Sequence, residues 1–345
     1  MSATKRTDSY KIGLFVFSCF SLVWACFLLY AGGFTTSIQA GMAFLDWPLS
    51  NGSLNPERWM SQPDQAAEHS HRLLGMKLGL LAIISVVWHA VREERKAVRV
   101  TSYVLLAAVV SQGVLGGLRV LLDQLNHDFD SNVIAQSFAI AHACGAQIVF
   151  CILAALAVMH SPMWFRREAA AVDGIDRVRA LGWASTTALF LQILVGAIMR
   201  HNHAGLAIST FPMATETSLL PAIWNFHISI HFAHRAGALI ATAILVAFFV
   251  QVWKRPALRA ELKGNAVLML SILAFQIYLG ALTIWTGRNP HAATVHMLVA
   301  AFLMGSTWIM TFRLYQFQQV AAYCVGRPER RRSPVDVKQP AEQGV

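Results

Sequence analysis

Eight apolar runs of bilayer-spanning length constrain this chain more than any other feature of its sequence. They cover residues 12–32, 72–91, 100–121, 133–159, 180–199, 231–253, 265–285 and 292–314. Roughly 20 apolar residues carry a helix across a bilayer, where every backbone polar group must be hydrogen-bonded within its own segment. Charged residues make up only 13% of the 345, whereas soluble domains carry roughly 25%. The sequence therefore predicts an all-α integral membrane protein with eight transmembrane helices, and its first partner is the lipid bilayer.

The positive charge is divided unevenly between the two sides that eight spans create. The net charge is +10, yet the connections on one side hold only four of the 28 lysines and arginines: Arg58, Arg119, Arg200 and Arg288. Because basic residues collect in cytoplasmic connections, this asymmetry predicts that both termini are cytoplasmic. We expect a multi-pass protein of the cell inner (plasma) membrane. The basic character thus indicates topology, and no nucleic-acid partner is expected.

The two halves of the chain repeat the same motifs at nearly constant offsets. Ala-Gly-Met-Ala at 40–43 with Trp47-Pro48 recurs as Ala-Gly-Leu-Ala at 204–207 with Phe211-Pro212. The other repeated positions are His71-Arg72 and His234-Arg235, Gln112 with Gly116 and Gln276 with Gly280, and His142 and His296. An even helix count gives both halves one orientation, so we predict two tandem four-helix bundles in a parallel repeat. The bundles cover 1–165 and 166–325, and residues 326–345 form a disordered cytoplasmic tail.

Four histidines inside the apolar runs or directly at their edge form two repeat-related pairs, His71 with His142 and His234 with His296. Each falls within the first two or three turns of a helix, and all four helices run in the same direction, so the imidazoles share one depth. A single intramembrane histidine is often an interhelical hydrogen-bond partner. Two imidazoles at matching depth on parallel helices are instead typical of a haem held from both sides. Zinc would need three or four clustered ligands.

Carboxylates lie on the face of the first histidine. Asp64, Glu68 and His71 are spaced i, i+4, i+7 and share one side of a helix, whereas the repeat-related positions hold His227 and His231. A carboxylate one turn from a haem ligand can accept or relay a proton, which we expect of Glu68. For Asp64 we favour a role at the helix start, where the helix dipole favours anions.

Further polar residues lie close to these positions. Arg72 and Arg235 directly follow two of the histidines, and their guanidinium groups suit the propionates of a haem. Snorkelling to the membrane interface is the alternative. His69 is off the Glu68 face and His89 lies at the far end of its helix, and both are expected to be solvated.

The run Glu68–Arg72 (Glu-His-Ser-His-Arg) resembles the Glu-x-x-His-Arg element of haem A synthases. Other segments resemble that family in the same order: 200–207 with Phe211-Pro212, 234–237, 279–285 and 296–300. The resemblance covers about residues 12–315. It departs in the first outward loop, 33–66, which lacks the cysteine pair of many bacterial members, so no thiol-dependent role is expected here.

The resemblance implies an eight-helix fold of two bundles with different tasks. His234 and His296 would hold a resident haem b, whereas haem O would be oxidised between His71 and His142, beside Glu68. The implied reaction converts the haem O methyl group to a formyl group by successive hydroxylations that need molecular oxygen and an external electron donor. It would serve cytochrome oxidase biogenesis. A haem O synthase and a reductant donor are the expected partners, together with a possible homo-oligomer.

Two other functions fit the residues alone. A dihaem membrane cytochrome b, passing electrons from quinol, would use the same histidine pairs with both haems unmodified. A transporter with parallel repeats would use the histidines as proton carriers and would show no haem absorption.

Overall fold

The computed structural model describes residues 10–124, 132–165 and 170–319, where long helices are joined by loops and the strand Ala171–Val172 pairs in parallel with Gln318–Gln319. Within those residues, eight helices are long and apolar enough to cross a membrane. They are α1 Ile12–Ser37, α2 Pro63–Arg92, α3 Lys96–Gln124, α4 Val133–Met159, α5 Ile175–His201, α6 Phe226–Trp253, α7 Pro256–Trp285 and α8 Pro290–Arg313. The prediction of eight spans is confirmed. The expected tail, 326–345, and the start of the expected second bundle, at 166, lie outside the described residues.

Several helices begin earlier than their apolar runs. Helix α2 starts at Pro63 rather than at residue 72, and α7 at Pro256 rather than at 265. Proline suits the first helical position because its missing N–H would be unsatisfied there anyway, and the polar first turns that follow are invisible to hydropathy. Helices α4, α6 and α8 each begin after an asparagine whose side chain accepts backbone N–H groups: Asn132, Asn225 and Asn289.

The helices pack around two apolar clusters. Helices α1–α4 bury one that includes Leu105 and Phe150 and also takes in Ala301 of α8, and α5–α8 bury another that includes Phe248 and Met269. Helix α8 contacts α1 and α4, and α4 contacts α5, so the two groups of four meet along these helices. The histidine pairs therefore lie in two groups of helices that share one contact surface.

A buried polar chain crosses the first four helices at the end opposite the histidine pairs. His89 Nδ1 donates to the Ser85 carbonyl at 2.6 Å, so the Nε2 of neutral His89 accepts from His160 Nε2 at 2.9 Å. His160 Nδ1 in turn accepts from Arg95 Nη2 at 3.2 Å. The expectation that His89 is solvated is wrong, because its side chain is 0% exposed. The repeat-related positions, Val252 and Leu314, are apolar and equally buried.

We predict that the protein tolerates the removal of His89 and His160 together but not of either one alone. His160→Leu leaves the buried Nε2 of His89 without its donor, which costs about 1–3 kcal/mol. The double variant His89→Val/His160→Leu copies the apolar pair of the last four helices and should recover most of that loss. Apparent melting temperatures of the purified protein in detergent test this. A double variant that is less stable than either single variant would contradict it.

The same chain predicts a loss of stability in acid. Burial lowers the pKa of His160 from 6.5 to about 3, and Lys11, His89, Glu93 and Arg95 all act on it. Burial alone would raise the pKa of Glu93, but hydrogen bonds from Arg95 outweigh it and lower that pKa from 4.5 to about 2.

Both folded-state pKa values lie below the ordinary ones, so each stabilising contribution is complete above the ordinary pKa and is lost as the pH falls towards the folded value. For His160 this window runs from 6.5 down to about 3. The melting temperature should therefore fall between about pH 7 and about pH 5, and less so in His89→Val/His160→Leu. Equal falls in the two proteins would contradict the assignment.

Candidate functional site

The four intramembrane histidines face each other in two pairs. The ring centroids of His71 and His142 are 6.3 Å apart with an interplanar angle of 86°, and those of His234 and His296 are 6.5 Å apart at 74°. Metal–imidazole bonds are about 2 Å long, so two imidazoles on opposite sides of one metal have centroids roughly 6–6.5 Å apart. Each pair therefore has the separation that a single metal, ligated from both sides, requires.

The helices place the two pairs at the same level, as expected. His71 and His234 are each the ninth residue of their helices, α2 and α6. His142 is the tenth residue of α4, and His296 is the seventh of α8. All four thus lie within the first three turns, which span roughly 11 residues. The histidine end of the molecule is the end at which these four helices begin.

Each imidazole packs against a glycine of the preceding helix. A Cβ atom at Gly32 would lie 2.6 Å from His71 Cε1, and one at Gly196 would lie 2.9 Å from His234 Cε1. Gly116 and Gly280 stand in the same relation to His142 and His296, each at 3.2 Å. The Cε1 edge of each ring faces the glycine, and Nε2 lies farther from the glycine than Cε1 does at Gly32, Gly116 and Gly196. At Gly32 and Gly196 a side chain would force the ring to move, and at Gly116 and Gly280 it would be in tight contact with the ring.

Gly32 and Gly196 were missed in the sequence. They are 164 residues apart, the same offset as Gly116 and Gly280, so a comparison of the two halves would have identified them.

Glu68 is buried and held on both carboxylate oxygens. Its Oε1 accepts from Arg72 at 2.5 Å, and its Oε2 accepts the Phe44 backbone N–H at 3.0 Å. The repeat-related His231 is also buried and accepts the Ile208 N–H at 3.2 Å. The two positions thus bind equivalent points of the loops after α1 and α5, one with a carboxylate and the other with an imidazole. Asp64 is exposed in the first turn of α2, as expected.

The two arginines after the histidines bind the loops as well. Arg72 uses its N–H groups on Glu68, on the carbonyls of Phe44, Asp46 and Leu49, and on Ser50 Oγ. Arg235 donates to the carbonyls of Ile208, Thr210 and Met213. Its buried Nε has no hydrogen-bond partner among the described residues. Arg235 thus keeps a free donor, whereas the donors of Arg72 are engaged.

His69 also corrects the sequence analysis. It is 3% exposed rather than solvated. Its Nδ1 lies 3.0 Å from Ser50 Oγ, and its ring packs against Trp59 at 4.6 Å. It holds the loop over the first histidine pair, a contact that helix-face arguments cannot find because the partners belong to a loop.

Zinc-type sites are not found in the part of the chain that the structure describes. No group of three or more His, Cys, Asp or Glu side chains there could hold a metal ion.

Comparisons with known proteins agree with this geometry. Residues 15–308 match the family model of the cytochrome oxidase assembly protein, COX15-CtaA. Haem A synthase of Geobacillus kaustophilus is 28% identical over 286 residues, covering 81% of this chain and 84% of the relative. Haem A synthase of Symbiobacterium thermophilum is 28% identical over 73% of this chain and 79% of the relative, and that of Listeria welshimeri is 23% identical over 84% and 91%. The family resemblance seen in the motifs is confirmed.

Proposed function

Because the chain belongs to the COX15-CtaA family of cytochrome oxidase assembly proteins, we propose that it is a haem A synthase. It oxidises the methyl group of haem O to a formyl group by successive oxygen-dependent hydroxylations. The observation that carries this proposal is that each group of four helices holds two neighbouring imidazoles. Their ring centroids are 6.3 Å apart in the first group and 6.5 Å apart in the second. The names of the relatives support the substrate, which the geometry alone does not give.

The two pairs differ in their tasks. His234 and His296 hold a resident haem b, and His71 and His142 receive the substrate, haem O. The glycine cradles and the ring separations fit such a group at both sites. The chain is a parallel repeat of two bundles, 1–165 and 166–325, with both termini in the cytoplasm. This orientation puts both sites in the outer half of the plasma membrane, since the basic connections lie at the other end.

The protein's own groups position the substrate and move protons. Glu68 accepts or relays a proton beside the substrate, and Arg72 holds its carboxylate in position, since it pairs with Oε1 at 2.5 Å. Arg235, through its free buried Nε, contacts a propionate of the resident haem. We assign Arg72 to the loop and to Glu68 rather than to a propionate. The bound haem supplies the redox chemistry with molecular oxygen and an external electron donor.

A dihaem cytochrome b that passes electrons from quinol is the second candidate, since it would use the same imidazole pairs. The difference between Glu68 and His231 favours the oxidase. A carrier of electrons alone has no need of a buried acid beside one haem only. The enzyme's partners are a haem O synthase, a reductant donor and possibly further copies of the chain.

Pigment extraction and mass analysis of the haems test the proposal. Wild-type protein, purified from cells that make haem O, should contain haem b with haem O or haem A. His234→Ala should lose haem b, whereas His71→Ala should keep haem b and lose haem A. His203→Ala, in an exposed loop position, is the matched control. Two unmodified haems in the wild-type protein would instead identify a cytochrome b.

A further inference from the structure

The imidazoles of each pair are held to different degrees. The residue one turn before each cradle glycine is Leu28, Gln112, Gln192 or Gln276, and the residue three positions after each histidine is Leu74, Gly145, Gly237 or Val299. Only two of the four histidines combine a glutamine at the first position with a glycine at the second. These are His142, with Gln112 and Gly145, and His234, with Gln192 and Gly237. We call this combination the glutamine latch.

The latch holds His234 at its ring and its backbone. Gln192 Nε2 donates to the His234 carbonyl at 2.8 Å and lies 3.0 Å from Nδ1 of the same residue. The amide fits there because Gly237 has no side chain, and a Cβ at that position would overlap Gln192 Oε1. The ring of His234 therefore cannot turn without displacing the amide.

His142 is held in a related way. Its Nδ1 lies 3.0 Å from the Gln112 carbonyl, which can only accept, so Nδ1 carries the proton and Nε2 is left to ligate. The amide of Gln112 lies over Gly145, where a Cβ would overlap Nε2. Release of this imidazole from its ligating position would break a hydrogen bond.

His71 and His296 lack the latch. The Nδ1 atoms of both are buried without a hydrogen-bond partner among the residues that the structure describes. The amide of Gln276 approaches His296 at Nε2, at 3.4 Å, and not at Nδ1. Leu28 has no side-chain amide that could bind His71. Leu74 fills the space, here called the notch, that Gly145 and Gly237 leave open at the latched positions.

We propose that His71 is the ligand of the first pair that is displaced, here called the yielding ligand. Its imidazole rotates away while His142 stays in place. This inference rests on the proposed function, since it assumes a haem between these residues. With haem bound, release of His71 would leave the electron pair of the Fe–N bond on the imidazole, and it would open a coordination position on the side of the helix that carries Glu68. In the last four helices the unlatched histidine is His296, on the helix opposite His231. The open position and the buried acid therefore coincide only in the first pair.

Installing a latch on His71 tests the proposal. Leu28→Gln/Leu74→Gly recreates the combination found at His234, and Leu28→Gln/Leu73→Gly is the matched control, with the same composition and an unchanged notch. The probe is carbon monoxide, titrated into the reduced, purified, haem-loaded protein and followed by the Soret absorption. We expect the latch to weaken carbon monoxide binding by about 10-fold or more, within the range of outer-shell effects at metal sites, and the control to bind like wild type.

A second variant decides which ligand leaves. Gln112→Leu removes the amide packed over Gly145 but keeps the carbonyl that binds His142 Nδ1, and it should leave carbon monoxide binding within about threefold of wild type, since His142 is not the ligand that moves. If Gln112→Leu strengthens binding about 10-fold while the installed latch has no effect, the yielding ligand is His142 and the proposal is wrong. A wild-type protein whose haems bind no carbon monoxide would also overturn it. Absence of haem from the His71 pair would instead refute the proposed function, and haem b at His234 reports whether each variant is folded.

Discussion

Glu68→Gln is expected to abolish haem A formation while the protein keeps its haem b. Glutamine has the shape of glutamate and can still accept the Phe44 N–H that Oε2 binds at 3.0 Å. It cannot take up a proton, and it leaves the partly buried Arg72 without its anionic partner. Loss of a positioned general base lowers rates by about 10²–10⁴-fold. The ratio of haem A to haem O in extracted pigment should fall by that order.

Two controls separate chemistry from loop structure in this experiment. Asp64→Asn removes an exposed carboxylate from the same helix and should leave the haem ratio unchanged. Arg72→Lys keeps the positive charge but loses the fork that binds Glu68 and the loop carbonyls. It should lower both the melting temperature and the haem ratio. Normal haem A formation in Glu68→Gln would show that Glu68 only anchors the loop.

The spans and the histidine pairs could be predicted because they depend on local sequence. Hydropathy identifies a helix without knowledge of its neighbours, and the spacing of His71, His142, His234 and His296 from their helix starts fixes their level. The structure contains the spans and brings the rings of each pair within 6.5 Å of each other, and the haem-binding role of the rings stays a prediction. The early start of α2 at Pro63 was missed because its first turns are polar.

The errors concern contacts between elements. His69 and His89 look like surface residues on their own helix, and they are buried because a loop covers one and α4 reaches the other. The same reason applies to Arg72, whose acceptors are loop carbonyls that carry no sequence signature. Such partners become visible only when the neighbouring element has been placed.

The repeat also shows where the two groups of helices have diverged. The scaffold positions are alike: a glycine under each ring, a buried acceptor for each loop and an arginine after each first histidine. The differences are Glu68 against His231, His89 and His160 against Val252 and Leu314, and Leu28 against Gln192. The first replaces an imidazole by a carboxylate, the second adds two titratable groups to the first four helices, and the third removes a restraint from His71. This pattern suits one site that reacts and one that only holds its haem.

Filling the glycine cradles should remove the haems one at a time. Gly196→Ala puts a methyl group 2.9 Å from His234 Cε1, and Gly32→Ala puts one 2.6 Å from His71 Cε1. Real Cβ atoms do not approach so closely, so each ring must move by several tenths of an ångström. Displaced ligands lower metal affinity by about 10–100-fold. Gly196→Ala should therefore lose haem b, and Gly32→Ala should keep haem b but make little haem A.

The glycine variants include two with smaller expected losses and one control. Gly116→Ala and Gly280→Ala bring the methyl group only to 3.2 Å from the rings, so smaller losses are expected. Gly79→Ala, on α2, meets no atom within 4 Å and should leave both haems and the melting temperature unchanged. Haem b per protein and the haem A to haem O ratio are measured together for all five variants. If Gly32→Ala loses haem b while Gly196→Ala loses only haem A, the two pairs carry the opposite tasks, because each cradle touches one ring alone.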